Sequence, residues 1–255
     1  MVVCNDWTAA WPRKWRKGCA SPPEFDNTVH LWRVPLGRDS RLVRQLFEYL
    51  SPGERQRASG FRLATARASF IVRRGMLRKI LGRYLNVDPR AIRLGTSKFG
   101  KPYLRSQDHG STDLSFSITH SHKVAIVALA PTDCIGVDLE YVQPLPDLEL
   151  MIETSLSSRE KSRFRAMTSA AKLELFYRHW TCKEAYLKAL GVGLNRRPDS
   201  FGVALPGARA IRAAVLEDTR HAAAEFSILS FEPFAGYVAA TATTRKYAQH
   251  QLFMI

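Results

Sequence analysis

Apolar and polar side chains alternate over Val29–Pro35, and this period of two predicts a strand, opened by Asn27-Thr28 and closed by Pro35-Leu36-Gly37. The period then lengthens. Leu42, Val43, Leu46, Phe47 and Leu50 recur at helical spacing behind Asp39 or Ser40, either of which can cap a helix. Ser51-Pro52-Gly53-Glu54 marks a second helix start, since proline is tolerated in the first turn. A longer helix is predicted over Ala64–Tyr84. Phe70, Leu77, Leu81 and Tyr84 form its apolar stripe, and Arg67, Arg73, Arg74, Arg78 and Arg83 occupy much of the rest, as on a solvated face.

Strand patterns return at Ala91–Thr96, Leu114–Thr119, Val124–Leu129 and Ile135–Leu139, separated by turn-rich loops. Helices are expected over Leu148–Thr154, Ser158–Ala166 and Ala170–Leu190, the last closed by Gly191. Strands follow near Arg209–Val215, Glu225–Phe231 and Gly236–Thr243. The order strand, helices, strands thus occurs twice. It predicts an α+β fold of two similar halves related by a pseudo-two-fold, 28–131 and 132–255, with a ligand site at their interface. Residues 1–27, which include the basic aromatic run Trp11–Lys17, are expected to be a poorly ordered leader.

Composition narrows the function. The 255 residues include 38 Lys and Arg against 23 Asp and Glu, a formal net charge of +15 that attracts polyanions of any kind. No apolar run is long enough to span a bilayer and no secretory signal opens the chain. Cys4, Cys19, Cys134 and Cys182 show no metal-ligand spacing, and a reduced, cytoplasmic setting is the simplest expectation. Cys182 reads as a packing residue, having no activating base nearby.

Two acidic motifs stand out against this basic background: Gly136-Val137-Asp138-Leu139-Glu140 and Trp180-Thr181-Cys182-Lys183-Glu184-Ala185-Tyr186-Leu187-Lys188. On a strand, Asp138 and Glu140 project to one side. On a helix, Glu184 and Lys188 share a face, where an exposed ion pair is the plain alternative. Tyr177, Trp180 and Leu187 argue that part of this helix is buried. Three carboxylates with Lys183 and Lys188 suit a divalent cation and a phosphate-bearing ligand, because Mg²⁺ takes oxygen ligands and shares its shell with phosphates.

Both motifs, in this order and about forty residues apart, resemble the signatures of the 4′-phosphopantetheinyl transferases, and the length and paired halves resemble the Sfp-type members. Phe99-Gly100-Lys101-Pro102-Tyr103, Phe116-Ser117-Ile118-Thr119-His120-Ser121 and Gly191-Val192-Gly193-Leu194 are similar to further family segments. So is Ser51-Pro52-Gly53-Glu54-Arg55-Gln56-Arg57, the start of a basic region for the 3′-phosphate of coenzyme A. The resemblance spans Ser51 to Leu194. It implies Mg²⁺-dependent transfer of phosphopantetheine from coenzyme A to a carrier-protein serine, with release of adenosine 3′,5′-bisphosphate. Asp138, Glu140 and Glu184 are then the metal ligands, Glu184 also the base for the serine, directly or through water, and Lys188 the cation on the diphosphate. Lys101, Pro102, Thr119, His120 and Lys183 are implied cofactor contacts. Thr119 replaces the usual serine, and a familiar arginine falls on Ser69, so Arg57, Arg67, Arg73 or Arg74 would take the 3′-phosphate. The implied partners are acidic acyl or peptidyl carrier proteins met by a monomer, with no nucleic acid or membrane partner.

A metal-dependent nuclease is the competing enzyme reading. It would want a lysine two positions after a strand acid, and Val142 stands there after Glu140. A basic nucleic-acid-binding protein would account for the arginines alone, and no ribonucleoprotein motif or zinc finger accompanies them.

Overall fold

A computed structural model describes residues 16–17, 24–25, 27–37, 39–105, 113–132, 134–205, 212–216, 226–244 and 249–254. The first half holds β1 (Arg16–Lys17), β2 (Thr28–Pro35), α1 (Ser40–Phe47), α2 (Pro52–Ser59), α3 (Ala64–Leu85), β3 (Leu94–Thr96), β4 (Pro102–Leu104), β5 (Leu114–Ser121) and β6 (Val124–Pro131). The second holds β7 (Ile135–Tyr141), α4 (Leu148–Ser155), α5 (Ser158–Lys161), α6 (Ser169–Leu190), β8 (Gly202–Ala204), β9 (Arg212–Leu216), β10 (Ser227–Phe231), β11 (Tyr237–Thr243) and β12 (Gln249–Met254). Two five-stranded sheets result, ordered β1-β12-β2-β6-β5 and β7-β11-β10-β9-β8, with β3 and β4 as a separate pair.

Period-two alternation decides the layers. Val29 and Leu31 of β2, with Val124, Ile126 and Ala128 of β6, meet Val137 and Leu139 of β7 and Ala239 of β11 in a core between the sheets. Trp32, Val34 and Val127 face the other way, onto Leu46 of α1 and Leu77, Ile80 and Leu81 of α3. The second sheet repeats this arrangement, with Ile228 and Ala240 against Phe176, Tyr186 and Leu187 of α6. The order is helices, sheet, sheet, helices, so β6 is apolar on both faces and reads as a continuous run.

The helix ends carry the expected chemistry. The Asp39 carboxylate accepts from the Arg41 and Leu42 amides, at 2.7 and 3.1 Å, so Asp39 and not Ser40 is the cap. Ser51 and Glu54 close a capping box on α2. Gly191 ends α6 at φ +71°, a left-handed conformation that glycine adopts without strain.

Several expectations change. The strand over Ala91–Thr96 begins only at Leu94, because Asp88 caps a single 3-10 turn over Pro89–Ala91. The helix over Ser158–Ala166 is α-helical to Lys161 and tightens to 3-10 over Ser162–Phe164. Arg78 does not lie on a solvated face: it is buried, ion-paired to Glu54 at 2.7 Å, and donates to the Ile92 carbonyl at 2.8 Å. β12, which falls in 132–255, lies parallel to β2 in the sheet of the first half. Within the leader, Arg16 and Lys17 pair with Phe253 and Met254, and Phe25 stacks on His30 at 4.2 Å, so these positions are built into the fold. The rest of the leader reading lies outside the described residues.

Candidate active site

The two sheets present an edge to each other where β5 runs beside β7, and hydroxyl side chains join them. Ser117, Thr119 and Ser121 share a face of β5. The Val137 amide donates to Ser117 Oγ at 3.1 Å and the Tyr141 amide to Ser121 Oγ at 3.0 Å. Thr119 Oγ1 donates to Asp138 Oδ1 at 3.0 Å, and Ser121 Oγ to Glu140 Oε2 at 2.9 Å. The hydroxyl row therefore satisfies β7 edge amides and orients both acids of the first motif.

The second motif arrives from the other side. Gly136 shares its face of β7 with Asp138 and Glu140, and α6 crosses directly over it. A methyl group at Gly136 would collide with the Ala185 carbonyl and stand 2.5 Å from the Ala189 amide. This close crossing sets Lys188 Nζ 2.5 Å from Asp138 Oδ1 and 3.3 Å from Thr119 Oγ1. Asp138, Glu140, Glu184 and Lys188 line one cavity of about 330 Å³ together with Arg73 of α3 and His120 of β5. Both halves thus contribute, and the site lies between them.

Like charges crowd this cavity. Burial and the charge of Asp138 push the Glu184 carboxyl up to about 7. The same two causes raise Glu140, which Ser121, Lys188 and Trp180 partly offset. Burial alone would lower the Lys188 ammonium, but Asp138, Glu184 and Glu140 hold it above its ordinary value. Asp138 Oδ2 and Glu184 Oε1 are buried without a hydrogen-bond partner, an arrangement that carries a penalty unless a ligand satisfies them. Among the described residues no three His, Cys, Asp or Glu side chains form a ready-made metal cage, and the Lys188 ammonium neutralises Asp138 directly. Burial, Arg73 and Lys188 lower His120 to about 4, so it is a neutral imidazole near pH 7.

The other sequence-predicted residues divide. Lys101 and Pro102 border an adjoining cavity of about 310 Å³ that shares Ile118, Glu184 and Lys188 with the first. The Lys101 ammonium is engaged by the carbonyls of Ile135 and Ala189. Lys183 is corrected: it is fully buried away from the cavity, paired with Glu160 at 2.7 Å and donating to the carbonyls of Pro198 and Phe201. As the neighbour of Glu184 on a helix it points about 100° away. Of the arginines, Arg73 lines the acidic cavity, whereas Arg67 lies in an apolar groove between α1 and α3. Arg74 is half-buried 3.9 Å from Glu54, and exposed Arg57 lies over the Phe70 ring. Cys182 is buried and its thiol is pushed up to about 12 by burial, as a packing residue. Sequence reasoning missed Trp180 and Ser121 as partners of Glu140. The period-two row Ser117, Thr119, Ser121 was the available signal for the second.

Comparison with known proteins gives the family. Residues 134–242 match the model of the 4′-phosphopantetheinyl transferase superfamily, and residues 39–132 the model described as 4′-phosphopantetheinyl transferase, N-terminal. A relative from Nostoc sp., 4′-phosphopantetheinyl transferase HetI, is 38% identical over 178 residues, 69% of this chain and 75% of the relative. A phosphopantetheinyl transferase of Thraustochytrium sp. is 31% identical over 57% of this chain and 54% of its own length. The L-aminoadipate-semialdehyde dehydrogenase-phosphopantetheinyl transferase of Mus musculus is 28% identical over 57% of this chain and 50% of its own length. The chain therefore spans about half the length of the latter two relatives.

Proposed function

The chain belongs to the 4′-phosphopantetheinyl transferase superfamily and is a transferase of that family, and on that premise we propose that it moves phosphopantetheine from coenzyme A to a serine of an acyl or peptidyl carrier protein, as an Sfp-type monomer in the cytoplasm. The observation that carries this reading is the cavity between the halves, where Asp138, Glu140 and Glu184 gather around Lys188 with two orphaned carboxylate oxygens. Those oxygens and the mutual repulsion of the acids fit Mg²⁺, with Asp138, Glu140 and Glu184 as its holders. Bound there, Mg²⁺ would neutralise charge on the diphosphate.

The chain's own groups do the rest. The carrier serine oxygen forms a bond to the phosphorus that bears the pantetheine, the diphosphate P–O bond breaks, and adenosine 3′,5′-bisphosphate leaves. Glu184 accepts the serine proton, directly or through water. Lys188 stabilises the charge that builds on the 5′-phosphate of the departing adenosine 3′,5′-bisphosphate. Neutral His120 and cationic Arg73, which line the same cavity, hold the nucleotide end, and the charges of Arg57 and Arg74 act on Arg73. Thr119 acts indirectly, by orienting Asp138.

The division 28–131 and 132–255, with β12 returned to the first sheet, is the proposed domain plan. Among the described residues no helix is long and apolar enough to cross a membrane. The net charge of +15 suits acidic carriers, whose encounter it would accelerate. The test is thermal stabilisation by coenzyme A with Mg²⁺ compared with single-stranded nucleic acid. A rise in Tm with the first alone is expected, and a rise with nucleic acid alone would defeat the assignment.

A further inference from the structure

Lys101 precedes β4 on a loop of the first half, yet its ammonium reaches into the second. It donates to the Ile135 carbonyl at 3.0 Å and to the Ala189 carbonyl at 3.1 Å. Ile135 opens β7, the strand that carries Asp138 and Glu140. Ala189 lies in the last turn of α6, one residue beyond Lys188 and five beyond Glu184. One cation from outside both elements therefore grips the two backbones whose side chains make the acidic cluster.

The rest of the junction explains why a grip is needed. β7 and α6 cross over Gly136, where the absence of a Cβ permits the approach and adds no attraction of its own. Carbonyls at a helix C-terminus lack intrahelical partners and carry the negative end of the helix dipole, which a lysine satisfies well. The Lys101 stem lies along Gly191, whose added Cβ would stand 3.6 Å from Lys101 Cδ. Lys101 borders cavities of about 310 and 350 Å³, whereas the cavity holding Arg73, His120 and Asp138 is lined without it. Two of its three N–H donors are committed to protein carbonyls.

We infer that Lys101 is a positioning residue: it fixes the separation of β7 from α6, and so of Asp138 and Glu140 from Glu184 and Lys188, and it is not a ligand of the coenzyme A phosphates. The inference rests on the transferase reading for its kinetic consequences, though the clamp itself does not. A displacement of about 1 Å in such a site lowers turnover by about 100-fold.

The experiment compares the parent with Lys101→Met and Lys101→Arg in four measurements: kcat, the Mg²⁺ concentration for half-maximal rate, the Kd of adenosine 3′,5′-bisphosphate, and hydrogen exchange over 135–139 and 186–190. For Lys101→Met the expected result is a fall in kcat of about 10- to 100-fold, a several-fold higher Mg²⁺ requirement and faster exchange in both segments. Nucleotide affinity stays within about two-fold of the parent, below the about tenfold change that 1.4 kcal/mol would produce. Lys101→Arg, which keeps a cation with several donors, recovers most of the rate and the exchange protection. A tenfold or larger loss of nucleotide affinity in either variant overturns the inference, as does parental kcat and exchange in Lys101→Met. If Lys101→Met fails to fold, Lys101→Arg decides by the same comparison of exchange and nucleotide affinity. A parent that transfers nothing would refute the transferase reading, while the exchange measurement would still report on the clamp.

Discussion

Replacing Glu184 with Gln should make the metal-free protein more stable at neutral pH while removing transfer. Burial and Asp138 raise the Glu184 carboxyl from an ordinary 4.5 to about 7. Between those values the folded protein holds a proton that the unfolded chain has released, so this group's contribution to stability is present at low pH and is lost as pH rises through about 7. At about 1.4 kcal/mol per pH unit of displacement, charging Glu184 in the fold removes about 3 kcal/mol by pH 8. Glutamine carries no charge and escapes that penalty. The variant should therefore gain about 2–3 kcal/mol at pH 8, or roughly 5–10 °C in Tm for a chain of this size, and the gain should fade to nothing near pH 4.5. Unfolding of both proteins at several pH values, in chelator, measures it. A difference that does not change with pH would refute the reasoning, as would a variant less stable than the parent at pH 8. Adding Mg²⁺ with adenosine 3′,5′-bisphosphate should stabilise the parent more than the variant.

Three further outcomes follow from the same geometry. Gly136→Ala drives a methyl into the Ala185 carbonyl, so it should lower stability by about 1–3 kcal/mol and cut transfer more than tenfold by parting Glu184 from Asp138; normal kcat in a folded variant would contradict the crossing. Lys183→Met leaves Glu160 buried with His179 and the Ser157 and Val203 amides but no cation, and should lose about 3–5 kcal/mol in urea unfolding. Its kcat per folded molecule should be retained, because the Lys183 ammonium does not reach the cavity. The KM for an acidic carrier should rise with added salt while the KM of a neutral pantetheine acceptor changes little, and a salt-independent carrier KM would remove the steering role of the basic surface.

Much of this was legible in the chain. Period two places Asp138 and Glu140 together, and helical spacing places Glu184 with Lys188, so the acidic cluster could be assembled from two motifs. The long helices were readable for the same reason, with Gly191 marking an end that only a left-handed residue closes. What escaped depends on long-range pairing or on the direction of a buried polar group. β12 returns in parallel to β2 across nearly the whole chain, and nothing local in Gln249–Met254 names that partner. Lys183 and Glu184 are adjacent in sequence, and only packing decides which points into the cavity and which into the pair with Glu160. Arg67 and Arg73 look alike on a helical wheel of mixed faces, yet Arg73 lines the cavity with Thr119 and His120 while Arg67 lies in the groove between α1 and α3. The motif around Lys101 suggests a cofactor contact, and nothing local names its carbonyl partners, which belong to segments 34 and 88 residues away.

The most direct measurement is the intact mass of apo carrier proteins after incubation with this protein, coenzyme A and Mg²⁺. The account predicts that at least one acidic carrier gains a single phosphopantetheine on its serine, and that the gain disappears with Asp138→Ala and with Glu184→Gln. Undiminished modification by those folded variants, or none by the parent across fatty-acid, polyketide, peptide-synthetase and aminoadipate carriers, would contradict it.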